Sequence, residues 1–123
     1  MNAIQKTGLA ALAAVMVLTI GISPAFATTV HTVEEQATSG LTVYDSESSG
    51  IFDTDLAVKT NNPGDSIRVD WDSGSTPYDV NVKIYIDNSL VKNRDFNNSS
   101  GGHLTIYNSL SGGEDVKAIV TYS

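Results

Sequence analysis

Apolar and polar residues alternate with a period of two over most of the chain beyond residue 40. Ile67, Val69 and Trp71 alternate with Ser66, Arg68 and Asp70, and Val80, Val82, Ile84 and Ile86 alternate with Asn81, Lys83 and Tyr85. Leu104 and Ile106 alternate with His103, Thr105 and Tyr107, and Val116, Ala118, Val120 and Tyr122 alternate with Lys117, Ile119 and Thr121. A period of two puts one apolar face on each run, the signature of half-buried β-strands. Leu41 to Tyr44, Leu56 to Thr60 and Val91 to Phe96 are shorter candidates, and Val30 to Val33 is a further edge-strand candidate. No run shows helical spacing.

The turns between these runs are short. Asn61-Asn62-Pro63-Gly64 has Pro and Gly in the positions of a type II turn, and Asp87-Asn88-Ser89 is a tight hairpin. Such connections join antiparallel strands, because a parallel pair needs a crossover of a dozen or more residues. About seven short strands with turns every 8 to 12 residues predict an all-β, antiparallel immunoglobulin-like or fibronectin-like sandwich.

The first 27 residues have a different pattern: Lys6, an apolar run of about 14 residues from Leu9 to Ile22, then Pro24 and Ala25-Phe26-Ala27. This is a Sec-type signal peptide pattern, too short for the roughly 20 residues of a membrane-spanning helix. A pilin-like leader cut after Gly8 is the alternative. Residues 1–27 are therefore the expected leader, 28–40 a flexible lead-in or edge strand, and 41–123 the sandwich, with no membrane insertion after cleavage. The expected location is secreted, in a bacterial setting.

Composition narrows the chemistry. The chain has no cysteine, which removes disulfides, thiol nucleophiles and cysteine-ligated zinc. Seven basic residues face fourteen acidic ones, a net charge of −7; without Lys6 the balance is −8. Phosphate backbones repel such a surface, so nucleic acid is excluded as a partner.

Four candidate chemistries remain. The stretch Asp45-Ser46-Glu47-Ser48-Ser49-Gly50-Ile51-Phe52-Asp53-Thr54-Asp55 is either a solvated polar turn or a calcium loop. Asp45, Glu47, Ser49, Asp53 and Asp55 are its candidate ligands, but Leu56 stands at position 12, where an EF-hand loop has a bidentate Glu. Gly64-Asp65-Ser66-Ile67 matches the nucleophile block of the SGNH hydrolases, without that family's Asp-x-x-His pair. His31 and His103 have no spacing that argues for a triad or a zinc pair, so no catalytic residue is assigned and the chain is not expected to be an enzyme. Tyr85 and Tyr107 fall on outward positions, with Lys83 as a polar companion, and form a candidate ligand platform if their strands are neighbours. The expected function is a non-enzymatic binding or structural module, acting through a sheet face or an edge strand on a protein or envelope component. The alternative is a carbohydrate-binding module, calcium-stabilised through its acidic loops.

Overall fold

In the computed structural model, the structure describes residues 28–61 and 64–123. The expected leader, residues 1–27, and the Asn62-Pro63 part of the expected type II turn lie outside the described residues. Eight strands follow one another without a helix among the described residues: β1 Thr29–Gln36, β2 Thr42–Ser49, β3 Phe52–Lys59, β4 Ser66–Asp72, β5 Tyr78–Ile86, β6 Ser89–Ser99, β7 Gly101–Tyr107 and β8 Asp115–Tyr122. They form two four-stranded sheets, in the orders β1-β8-β5-β6 and β2-β3-β4-β7. Every pairing is antiparallel.

The alternating residues meet between the sheets. Val33, Val80, Val82, Ile84, Val116, Ala118, Val120 and Tyr122 from the first sheet are buried against Leu56, Val58, Ile67, Val69, Trp71 and Leu104 from the second. Each buried aliphatic side chain contributes about 1.5–3 kcal/mol relative to exposure, and with no disulfide this layer is the main source of stability. Trp71 enters the core as its parity requires, while Asp70 and Asp72 face outward. Its ring packs on Phe96, with centroids 4.5 Å apart, and its indole N–H donates to Ser99 Oγ at 3.1 Å.

Two hairpins have their turns written in the backbone. Asp87 and Asn88 both take positive φ, 49° and 67°, as a two-residue type I′ connection requires. Gly50 takes φ 60° between the paired residues Ser49 and Phe52, which suits glycine because it has no Cβ to clash.

Three segments differ from the sequence expectation. The acidic stretch is not a loop, because β2 runs on to Ser49 and β3 starts at Phe52. Polar side chains are tolerated there since β2 is a sheet edge, with solvent on one side and the margin of the other sheet on its inward side. Asn97 to Gly102, whose Asn, Ser and Gly residues predict a loop, is almost wholly strand, with Ser100 between β6 and β7. Of the two readings of 28–40, the edge strand describes Thr29 to Gln36, which pairs with β8 along its whole length; beyond it Ala37 is buried, with its N–H bonded to Glu114 O.

Candidate functional site

At the seam between β1 and β2, acidic side chains complete the backbone. β1 is an edge strand, so its amides on one side have no neighbouring strand. Glu47 Oε1 accepts the Thr32 N–H and Asp45 Oδ2 accepts the Glu34 N–H, both at 2.9 Å. Asp45, Glu47 and Ser49 stand opposite Leu56, Thr54 and Phe52, on the inward side of the hairpin, whereas Asp53 and Asp55 stand opposite Ser48 and Ser46 on the outward side. The five candidate calcium ligands are thus split between two faces of the hairpin. Among the described residues, no group of three or more His, Asp or Glu side chains is arranged to hold a metal ion.

The same seam contains a buried chain of polar groups. His31, in the expected lead-in or edge strand, is 1% exposed. Its Nδ1 lies 2.8 Å from Thr54 Oγ1 and its Nε2 lies 2.7 Å from Ser49 Oγ. Thr54 Oγ1 is in turn 2.7 Å from the Tyr122 hydroxyl, which donates to Asp53 O at 3.1 Å. The protons follow from that last bond. A carbonyl only accepts, so the single Tyr122 proton goes to Asp53 and Thr54 donates to Tyr122. Thr54 then has no proton left for His31, so Nδ1 carries the proton and Nε2 accepts from Ser49. One neutral tautomer satisfies every group. Burial holds the His31 pKa below its ordinary value of 6.5, against the upward pull of Glu47 and Asp53. Burial likewise raises the Tyr122 pKa. Edge-on contacts from Phe52 and Tyr122, with centroids 6.5 and 5.6 Å from the imidazole, fix the ring.

The outer face of the second sheet is polar with aromatic corners. Its rows are Thr42, Lys59, Ser66 and Tyr107; Tyr44, Ala57, Arg68 and Thr105; and Ser46, Asp55, Asp70 and His103. Tyr44 and Tyr107 are 70% and 79% exposed. Arg68 pairs with Asp70 at 3.0 Å. Asp55 lies opposite Asp70, and burial together with Asp53 and Asp70 raises its pKa. A shallow groove of about 470 Å³ runs beside Tyr44, lined also by Asp45, Ser46, Asp55, Leu56, Ala57 and Asp70.

The expected platform of Tyr85, Tyr107 and Lys83 does not assemble. Tyr85 and Lys83 lie on the outer face of the first sheet, on β5, and Tyr107 lies on the outer face of the second, on β7. The strands belong to different layers, so the rings look away from each other. The Tyr85 ring is covered by Lys117 Nζ at 5.3 Å, and Lys83 Nζ donates to Asn81 Oδ1 at 2.8 Å. The Gly64-Asp65-Ser66-Ile67 block serves the fold, since Asp65 accepts the amides of Asn61 and Leu110, at 2.7 and 2.8 Å.

The free edges of the first sheet are poorly suited to adding a strand. The β1 amides of Thr32 and Glu34 are capped as described. On β6, Arg94 and Lys92 stand opposite Val82 and Ile84, on the inward side, and a register shift falls between Ile84 and Tyr85. Inward-pointing charges and bulges are devices that keep an edge from pairing with another chain.

Comparison of the chain with family models, with curated proteins and with solved structures gives no match. Sequence reasoning missed Tyr44 and His31. The alternation Val43 inward and Tyr44 outward was a usable signal for the first; nothing local announced that His31 would meet Ser49 and Thr54.

Proposed function

We propose that the chain is an exported, non-enzymatic binding module of the immunoglobulin-like or fibronectin-like class, holding a neutral polysaccharide of the cell envelope on the outer face of its second sheet. The observation that carries this is the exposure of Tyr44 and Tyr107 at opposite edges of one sheet face, with Ala57, Lys59, Ser66 and Arg68 between them and Asp55, Asp70 and His103 in the row beyond Tyr44. Three strand spacings of about 4.8 Å put the two edges roughly 14 Å apart, the scale of an oligosaccharide. Tyrosine rings offer an apolar face with a polar tip, and carboxylates and a guanidinium bond hydroxyls strongly. A protein partner is less suited, since interface cores are depleted in charge and the centre of this face is charged. The net charge of −7 repels anionic polymers, which favours a neutral glycan.

Export is supported by the leader pattern of residues 1–27. The class assignment is supported by the two stacked antiparallel sheets. The pairing of the first strand with the last departs from constant-type immunoglobulin sheets, in which the first two strands are paired. Affinity electrophoresis through gels containing neutral polysaccharides tests the reading. Retardation of the unsubstituted chain, lost in Tyr44→Ala and Tyr107→Ala and kept in Tyr85→Ala, is the expected pattern.

A further inference from the structure

We propose that Ser49 is an activated nucleophile, a covalent modification site for activated acyl and phosphonyl esters, with His31 as its general base. This is independent of the sheet-face reading, since it uses the inward side of the β2–β3 hairpin.

Three observations carry it. Ser49 Oγ donates to His31 Nε2 at 2.7 Å while His31 Nδ1–H is held by Thr54 at 2.8 Å, so a nucleophile, a base and a group orienting the base are in line. The direction of the proton is dictated by the Tyr122 to Asp53 carbonyl bond at the far end of the chain, so the Nε2 lone pair is already aimed at the serine and no ring flip precedes proton transfer. Finally, the base is dry and the nucleophile is open. His31 is 1% exposed, whereas Ser49 is exposed at the end of β2. The adjoining Gly50 has nothing within 4 Å of where a side chain would start, so the turn next to Ser49 is uncovered.

The step balances with the ester alone. Ser49 Oγ attacks the acyl carbon or phosphorus, the Oγ–C or Oγ–P bond forms, and the Oγ proton passes to His31 Nε2. The bond to the leaving group breaks: an ester oxygen takes the proton from Nε2, whereas fluoride from a fluorophosphonate departs as the ion and the Nε2 proton passes to water, and in both cases His31 returns to its neutral form. The transient imidazolium feels the Glu47 and Asp53 carboxylates from β2 and β3, and the Tyr122 hydroxyl from β8 is linked to it through Thr54.

Ser48 is a built-in reference: it lies on the same hairpin, but its hydroxyl donates to Asp53 Oδ1 at 2.7 Å. The full chain is incubated with a small fluorophosphonate between pH 5 and 9, and adducts are located by peptide mass spectrometry. The expected result is an adduct on Ser49 that forms about 100-fold faster than on Ser48, within the range of general-base assistance. Its rate rises as His31 loses its proton and then levels off. Ser49→Ala removes the adduct and His31→Gln slows it to the Ser48 rate. Equal labelling of the two serines, no labelling, or a rate that climbs with hydroxide over the whole range would each overturn the proposal. The pH profile is read on the unsubstituted chain, so it decides the matter even where His31→Gln fails to fold.

Discussion

The Trp71 indole lies against the backbone of Gly102, its cross-strand neighbour, so closely that a Cβ on residue 102 would sit 2.8 Å from Cζ2. No real side chain tolerates that approach, and the core tryptophan and the β7 glycine therefore specify each other. Replacing Gly102 with Ala forces Trp71 to move within a packed layer, where overpacking costs typically about 1–3 kcal/mol. Urea unfolding followed by the emission of the single tryptophan measures this directly. Gly101→Ala, whose added Cβ meets its nearest neighbour at 3.4 Å, is the milder control.

Acid weakens the fold through His31. The unfolded chain takes up its proton at the ordinary pKa of 6.5, whereas the folded chain holds the imidazole neutral to lower pH. Between those two values the unfolded state binds more protons, so stability rises with pH across the interval. The contribution is complete above 6.5 and is lost as pH falls through the folded value, at a slope of up to about 1.4 kcal/mol per pH unit. Urea midpoints measured from pH 7.5 down to 5 are expected to fall, and His31→Gln is expected to flatten this part of the profile while lowering stability at neutral pH.

Asp55 acts with the opposite sign. Its pKa is raised, by burial first and then by Asp53 and Asp70, so its ionised form is disfavoured in the folded state and stability falls as pH rises through its folded pKa. Asp55→Asn removes a like-charge cross-strand pair and is expected to stabilise the protein at pH 7 by about 0.5 kcal/mol. The gain shrinks in 1 M salt, where screening shortens to about 3 Å. Thermal melts at low and high salt test both parts.

Asp45 and Glu47 close the β1 edge, so their loss exposes specific amides. Asp45→Ala leaves the Glu34 N–H without its 2.9 Å carboxylate partner, a cost of about 1 kcal/mol. Hydrogen exchange at the Glu34 amide is expected to accelerate in Asp45→Ala, and exchange at Thr32 in Glu47→Ala. Exchange rates unchanged at both positions would show that these carboxylates do not fasten the strand.

Where burial and alternation coincide, the strands were legible from sequence: β4, β5 and β8 show it directly, and so does the inward tryptophan between outward Asp70 and Asp72. The polar margin was not. The eight residues of β2, TVYDSESS, hold few apolar side chains, because on this edge strand the inward partners are the amides of β1 rather than a hydrophobic layer. Tyr85 and Tyr107 share a parity but belong to different sheets, and parity carries no information about which layer a strand joins. His31 meets Ser49 and Thr54 across 18 and 23 residues, a contact that only the packing of β1 over β2 and β3 creates.

Amide chemical shifts followed during titration with a neutral oligosaccharide address the sheet-face reading most directly. Shifts concentrated on Tyr44, Ala57, Arg68, Thr105 and Tyr107, saturating together and absent in Tyr44→Ala, are the expected result. Shifts gathered on Lys83, Tyr85 and Lys117 of the opposite sheet, or along the β6 edge, would contradict it.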